Sequence, residues 1–143
     1  AVDYCRDMRV KLTSEATEQQ YARARMAVAC RAAGIVAIDA PFVAYQDVEA
    51  FEKNIRDGKQ MGYEGRMIIH PSQVEICNRL YAPDPADVEW ARGVVKVFEE
   101  EGLAKGKAAV SYNGKMVDTP VYQNALDILA AQAESDAKEA ARK

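Results

Sequence analysis

The sequence predicts an α/β fold with parallel strands, and three observations carry that reading. Short apolar runs end three times in a residue able to bind a proton or a metal: Val2 in Asp3, residues 35–38 in Asp39, and residues 67–69 in His70. The stretches between them have helical periodicity and roughly the length of a strand–helix–strand crossover. The resulting order of alternating strands and helices implies parallel pairing with right-handed crossovers. Folds of this kind place their chemistry at the carboxyl ends of the strands, so an enzyme site is the leading reading.

Each element has a local reason. Thr17 with Gln20 reads as a capping box that opens a helix to about Ala33, with Gly34 as its stop. Tyr21, Ala24, Val28 and Ala32 share one face at helical spacing and are the expected inner face. The strand 35–38 follows. Asp47 is a natural N-cap for a second helix, with Phe51, Ile55 and Gly58 inside and Gly62 closing it. After the strand 67–69 and His70-Pro71, Ser72 and Glu75 form a further capping box for a short helix to about Leu80.

Pro83-Asp84-Pro85 marks a break, with Asp84 as N-cap and Pro85 at the first helical position. The helix that follows runs to about Glu101 and buries Val88, Ala91, Val95 and Phe98. Residues 108–112 and 115–118 around Asn113-Gly114 then read as a hairpin with a two-residue type I′ turn. Thr119-Pro120 starts a last helix with an apolar face of Val121, Ala125, Ile128 and Leu129, which fades into the charged tail 134–143.

Composition bounds the function. The 143 residues carry a net charge of −3 and are 49% hydrophobic, as in ordinary globular proteins. No basic stripe suggests nucleic acid, and no apolar run approaches the ~20 residues of a membrane helix. Cys5, Cys30 and Cys77 are odd in number and widely spaced, which suits reduced, mostly buried cysteines of a cytoplasmic protein. The chain has no initiator Met and opens inside what reads as a strand, so it is expected to be the downstream part of something longer.

Each candidate residue has a bland role as well as a chemical one. Asp3 can be a solvated loop carboxylate, and Asp39, before Ala40-Pro41, can satisfy backbone amides in a tight turn. His70 is the only histidine, so no His–His metal site exists in this chain; its ring can simply hydrogen-bond loop backbone. Asp118 can share helix capping with Thr119. No Gly-rich phosphate loop follows a strand, and no serine sits in a nucleophile elbow. Acid–base or metal-assisted chemistry remains.

Ala32 to Phe42 (AAGIVAIDAPF), Gly62 to Gln73 (GYEGRMIIHPSQ) and Gly114 to Pro120 (GKMVDTP) resemble the citrate lyase beta-subunit-like family of the HpcH/HpaI aldolase/citrate lyase superfamily. The Asp39-Ala40-Pro41-Phe42 and Gly62-Tyr63-Glu64-Gly65 stretches look most like its malyl-CoA lyase branch. The resemblance implies the C-terminal part of a (β/α)₈ TIM barrel followed by a β-hairpin and helix lid. Residues 1–82 would be the last three β/α units, 83–104 the closing helix, and 105–143 the lid. It also implies Mg²⁺ with Asp3 as a ligand, Val2 beside it at the substrate, and Ile69 and His70 against the acyl-CoA. Asp39 takes a supporting place on the same rim. Asp118 matches a catalytic carboxylate that serves a neighbouring subunit in a homotrimer or homohexamer.

The implied reaction is cleavage or formation of a 3-hydroxyacyl-CoA such as malyl-CoA, β-methylmalyl-CoA or citramalyl-CoA, with an acyl-CoA thioester and a small 2-oxo acid as partners. Two alternatives stand beside it: a malyl-CoA thioesterase on the same scaffold, and a non-catalytic fragment acting as an assembly module. The other metal-binding Glu, the Arg for the acid's carboxylate and the basic residues for the CoA phosphates find no match here, so the isolated chain is expected to be incomplete. The loop 5–13 lacks the family's Gly, and Ala40 stands where the malyl branch tends to have Gly.

Overall fold

The computed structural model describes residues 1–141, which divide into two units, Ala1–Tyr81 and Ala82 onward. The first unit contains α1 (Val2–Met8), a 3₁₀ turn (Thr17–Gln19), α2 (Gln20–Ala32), β1 (Ile38–Asp39), α3 (Val48–Met61), β2 (Gly65–Arg66) and α4 (Ser72–Tyr81). Strands β1 and β2 pair in parallel, Ile38 opposite Gly65 and Asp39 opposite Arg66, with α3 as the crossover between them. That much of the βαβ grammar holds. Helix α3 begins where Asp47 accepts a hydrogen bond from the Ala50 N–H at 3.0 Å, and ends at Gly62 in the left-handed region. Its buried stripe is Phe51, Asn54, Ile55 and Gly58. Phe51 and Ile55 pack with Phe42, Ile76, Cys77 and Leu80, while Ala27, Ala37 and Tyr63 form a second small core.

Other expectations are corrected. Residues 2–3 are helical rather than the end of a strand. Among the described residues no strand lies beside them, so their backbone bonds locally, Cys5 N–H to the Ala1 carbonyl at 3.0 Å. Thr17 and Gln20 make no capping box. Ala16 precedes a 3₁₀ turn, and Glu18 instead reaches back to the Thr13 N–H at 3.2 Å and hydroxyl at 2.8 Å. Helix α2 buries Arg23 and Ala27 and leaves Tyr21 and Val28 exposed, 74% and 69%. A charge pair, described below, decides that face. The strands are short and displaced from their predicted runs, so Ile35, Val36, Met67 and Ile69 are all more than half exposed. In place of a Ser72–Glu75 box, Ser72 is the first residue of α4 and its hydroxyl lies 2.8 Å from His70 Nδ1. The three cysteines are free thiols, Cys5 buried and the others half-buried.

In the second unit Asp84 caps α5 (Pro85–Val97) by accepting from the Ala86 N–H at 2.8 Å. A π-helical turn (Phe98–Gly102) and a 3₁₀ turn (Leu103–Lys105) follow. Strands β3 (Ala109–Tyr112) and β4 (Lys115–Asp118) form the hairpin, with Asn113 and Gly114 at φ 48° and 75°, as a type I′ turn requires. Helix α6 (Thr119–Ala140) packs on α5 over a core of Ala91, Val94, Phe98, Val117 and Ala125. Val95, expected inside, is half-buried, and Val94 takes the centre. Arg142 and Lys143, the end of the predicted tail, lie outside the described residues. Among the described residues no helix is long and apolar enough to cross a membrane.

Candidate functional site

The parallel register puts the loops after β1 and β2 side by side. At the end of β1, Asp39 is fully buried and accepts from Arg23 Nε at 3.2 Å, Arg23 Nη2 at 2.5 Å, Arg66 Nη2 at 2.8 Å and the Ala40 N–H at 2.8 Å. The turn role expected of Asp39 is present in the Ala40 contact, but two guanidinium groups dominate its surroundings. Arg66 also donates to Asn54 Oδ1. Two buried cations facing one carboxylate leave a local excess of one positive charge. Burial holds the Arg66 guanidinium below its ordinary pKa, although Asp39 pulls the other way. Its Nε and Nη1 are buried without a hydrogen-bond partner among the described residues, as is the Tyr81 hydroxyl. Burial pushes the Tyr81 phenol up to about 12.

This cluster forms one wall of a cavity of about 280 Å³, also lined by Gln19 and the loop 40–44. Tyr63 braces the cluster from behind, its hydroxyl donating to the Arg23 carbonyl at 3.0 Å. Burial raises its pKa, so it remains a neutral donor.

The loop after β2 is held by Gln73, which is 1% exposed. Its Oε1 accepts from the Ile69 N–H at 2.9 Å and the His70 N–H at 3.2 Å, and its Nε2 donates to the Phe42 carbonyl at 3.1 Å. One side chain therefore ties the two strand-end loops together. The exposed His70 ring stacks on Tyr45, centroids 4.4 Å apart, and its Nδ1 lies 2.8 Å from Ser72 Oγ and 3.2 Å from Ser72 N.

Asp39, Ile69 and His70 thus lie on two joined loops. Val2 and Asp3 lie exposed on the first turn of α1. Asp118 belongs to the second unit, where its Oδ1 accepts from the Val121 N–H at 3.2 Å as the N-cap of α6. Among the described residues no group of three or more His, Cys, Asp or Glu side chains could hold a metal ion. Asp3 offers one carboxylate, and the residues present do not by themselves make a Mg²⁺ site. Arg23, Arg66, Asn54, Tyr45 and Gln73 were not legible as site residues. Of these, Arg66 and Gln73 lay inside a stretch, Gly62 to Gln73, that carries the family resemblance.

Residues 1–71 match the family model for HpcH/HpaI aldolase/citrate lyase. The chain belongs to that family. It is 36% identical over 129 residues to the citrate lyase subunit beta of Leuconostoc mesenteroides, covering 90% of this chain and 42% of that one. It is 30% identical over 109 residues to the mitochondrial citramalyl-CoA lyase of Mus musculus, covering 76% of this chain and 32% of that one. The structure resembles that of the CitE protein of Mycobacterium tuberculosis, solved with magnesium, acetoacetate and coenzyme A. There the TM-score is 0.69 at 30% identity, over 80% of this chain and 41% of the other. The chain spans about two fifths of the length of the citrate lyase beta relatives it matches. The buried Asp39 cluster lies within the family-matched segment, and Gln73 lies just beyond it.

Proposed function

We propose that this chain is the C-terminal part of a carbon–carbon lyase that cleaves or forms a 3-hydroxyacyl-CoA, built on a (β/α)₈ barrel with a hairpin–helix lid. The observation that carries the reading is the 36% identity to a citrate lyase beta subunit along nine tenths of the chain. The joining of the two loop ends that carry Asp39, Ile69 and His70 supports it. Malyl-CoA, β-methylmalyl-CoA and citramalyl-CoA are the substrates this reading admits, each yielding an acyl-CoA and a 2-oxo acid.

In this reading the loop 69–70, immobilised by Gln73, receives the thioester, and His70 donates a hydrogen bond to its oxygen as negative charge develops there. Asp118 accepts the proton α to the thioester in the condensation direction. Closure of the lid shields its carboxylate from bulk water. Its placement as an N-cap at a hairpin–helix junction keeps the group on a rigid element. Asp39 does not touch substrate; with Arg23 and Arg66 it holds the end of β1 in position. A divalent cation, when bound by the whole protein, would polarise the carbonyl of the oxo acid, and Asp3 would supply one oxygen ligand with the remainder coming from outside these residues. The lid serves a neighbouring subunit of a trimer or hexamer, and the protein works in the cytoplasm.

The test is product analysis with the polypeptide that carries this chain in the cell, given malyl-CoA or citramalyl-CoA and Mg²⁺. Formation of a 2-oxo acid with acetyl-CoA is the expected result. Free hydroxy acid and CoA would replace the lyase by a thioesterase, and no turnover of any of these thioesters would overturn both.

A further inference from the structure

The contacts of the His70 ring decide its tautomer. Two groups of Ser72 face Nδ1: the hydroxyl at 2.8 Å and the backbone N–H at 3.2 Å. The hydroxyl is compatible with either tautomer, because it can donate or accept. The backbone amide is not. Its hydrogen cannot turn into an acceptor, so a proton on Nδ1 would set two N–H groups against each other. Neutral imidazole carries one proton, and the other nitrogen must then hold it.

We infer that the Ser72 backbone N–H fixes His70 as the Nε2–H tautomer, making Nε2 a standing hydrogen-bond donor on the rim formed by the two strand-end loops. Three further contacts keep that donor in place. Tyr45 covers one face of the ring at 4.4 Å and an interplanar angle of 17°. Gln73 clamps the His70 backbone N–H. The same glutamine anchors this loop to the Phe42 carbonyl, across the site. Ser72, Tyr45 and Gln73 are therefore positioning residues that act through His70. The donor fits a carbonyl or enolate oxygen and disfavours a cationic group. Its use on an acyl thioester rests on the lyase reading above, whereas the tautomer does not.

A nitrogen-15 spectrum of the imidazole tests the inference without any turnover. In the polypeptide that carries this chain, a His70→Gln variant identifies which pair of ring signals belongs to His70. In the neutral imidazole, reached at alkaline pH, Nδ1 should resonate at the downfield, unprotonated position and Nε2 at the upfield, protonated one. A scalar coupling across the hydrogen bond should link Nδ1 to the Ser72 amide. Ser72→Ala removes the hydroxyl and keeps the amide, and it should leave the tautomer unchanged. A protonated Nδ1 in the parent chain, an averaged pair of shifts, or a switch to Nδ1–H in Ser72→Ala would each overturn the assignment. A lyase assay that fails while the Nε2–H pattern persists would overturn the function and leave the tautomer standing.

Discussion

Arg23 and Asp39 form a two-point pair at the centre of the first unit, Nε on Oδ1 at 3.2 Å and Nη2 on Oδ2 at 2.5 Å, with both side chains buried. Arg66 meets the same Oδ2 from the neighbouring strand. The parallel register makes this possible, because Asp39 and Arg66 stand opposite each other in the ladder. Removing the carboxylate strands two buried cations. Asp39→Asn should therefore cost about 3–5 kcal/mol, measured by urea denaturation. A cost under about 1 kcal/mol would mean that water reaches the cluster and screens it.

Gly58 offers a second test of the same pair. A Cβ there would stand 2.8 Å from Asp39 Oδ2 and 3.1 Å from Arg23 Nη2. In an open helix Gly→Ala stabilises by about 1 kcal/mol, but forcing atoms into a filled site costs roughly 1–3 kcal/mol. Gly58→Ala should lower the denaturation midpoint, and a raised midpoint would show that α3 has room there.

Glu18 should titrate far below an ordinary carboxylate. Burial alone would raise its pKa, but hydrogen bonds from Gln19 and Thr13 outweigh that and lower it from 4.5 to about 2. A depressed folded-state value means the contribution to stability is complete above the unfolded value and fades as pH falls from 4.5 toward 2. A carbon-13 titration of the Glu18 carboxyl should show the low midpoint, and Thr13→Ala should move it upward. A parent midpoint near 4.5 would remove the Thr13–Glu18 contact from solution.

Asp118 separates capping from chemistry. Asn caps a helix about as well as Asp, so Asp118→Asn should change stability by ~1 kcal/mol or less. As the proton acceptor of the proposed lyase, the same change should reduce turnover by roughly 10²–10⁴-fold. Mixed oligomers with an Asp3→Ala partner should regain part of the activity if the lid serves a neighbouring site. Undiminished turnover of Asp118→Asn alone would leave the residue as a cap only.

What the sequence by itself determined are the features written in a few adjacent residues. The Asp47 and Asp84 caps, the Gly62 stop, the Asn113-Gly114 turn, the α3 stripe and the family motifs are all of this kind, because turn chemistry and helical periodicity act within a few positions. The bland roles weighed for His70 and Asp118, a loop-backbone contact and a cap, were legible for the same reason. Tertiary structure decided what depends on partners far along the chain. Arg23 was hidden among exposed-looking arginines until Asp39, sixteen residues on, drew it inward and turned the Tyr21–Val28 face outward. Strand length was likewise unreadable, since apolar runs such as 67–69 form ladder only where another strand supplies hydrogen-bond partners. Gln73 looked like an ordinary helix residue, and only the folding together of two loops let its amide satisfy three backbone groups at once.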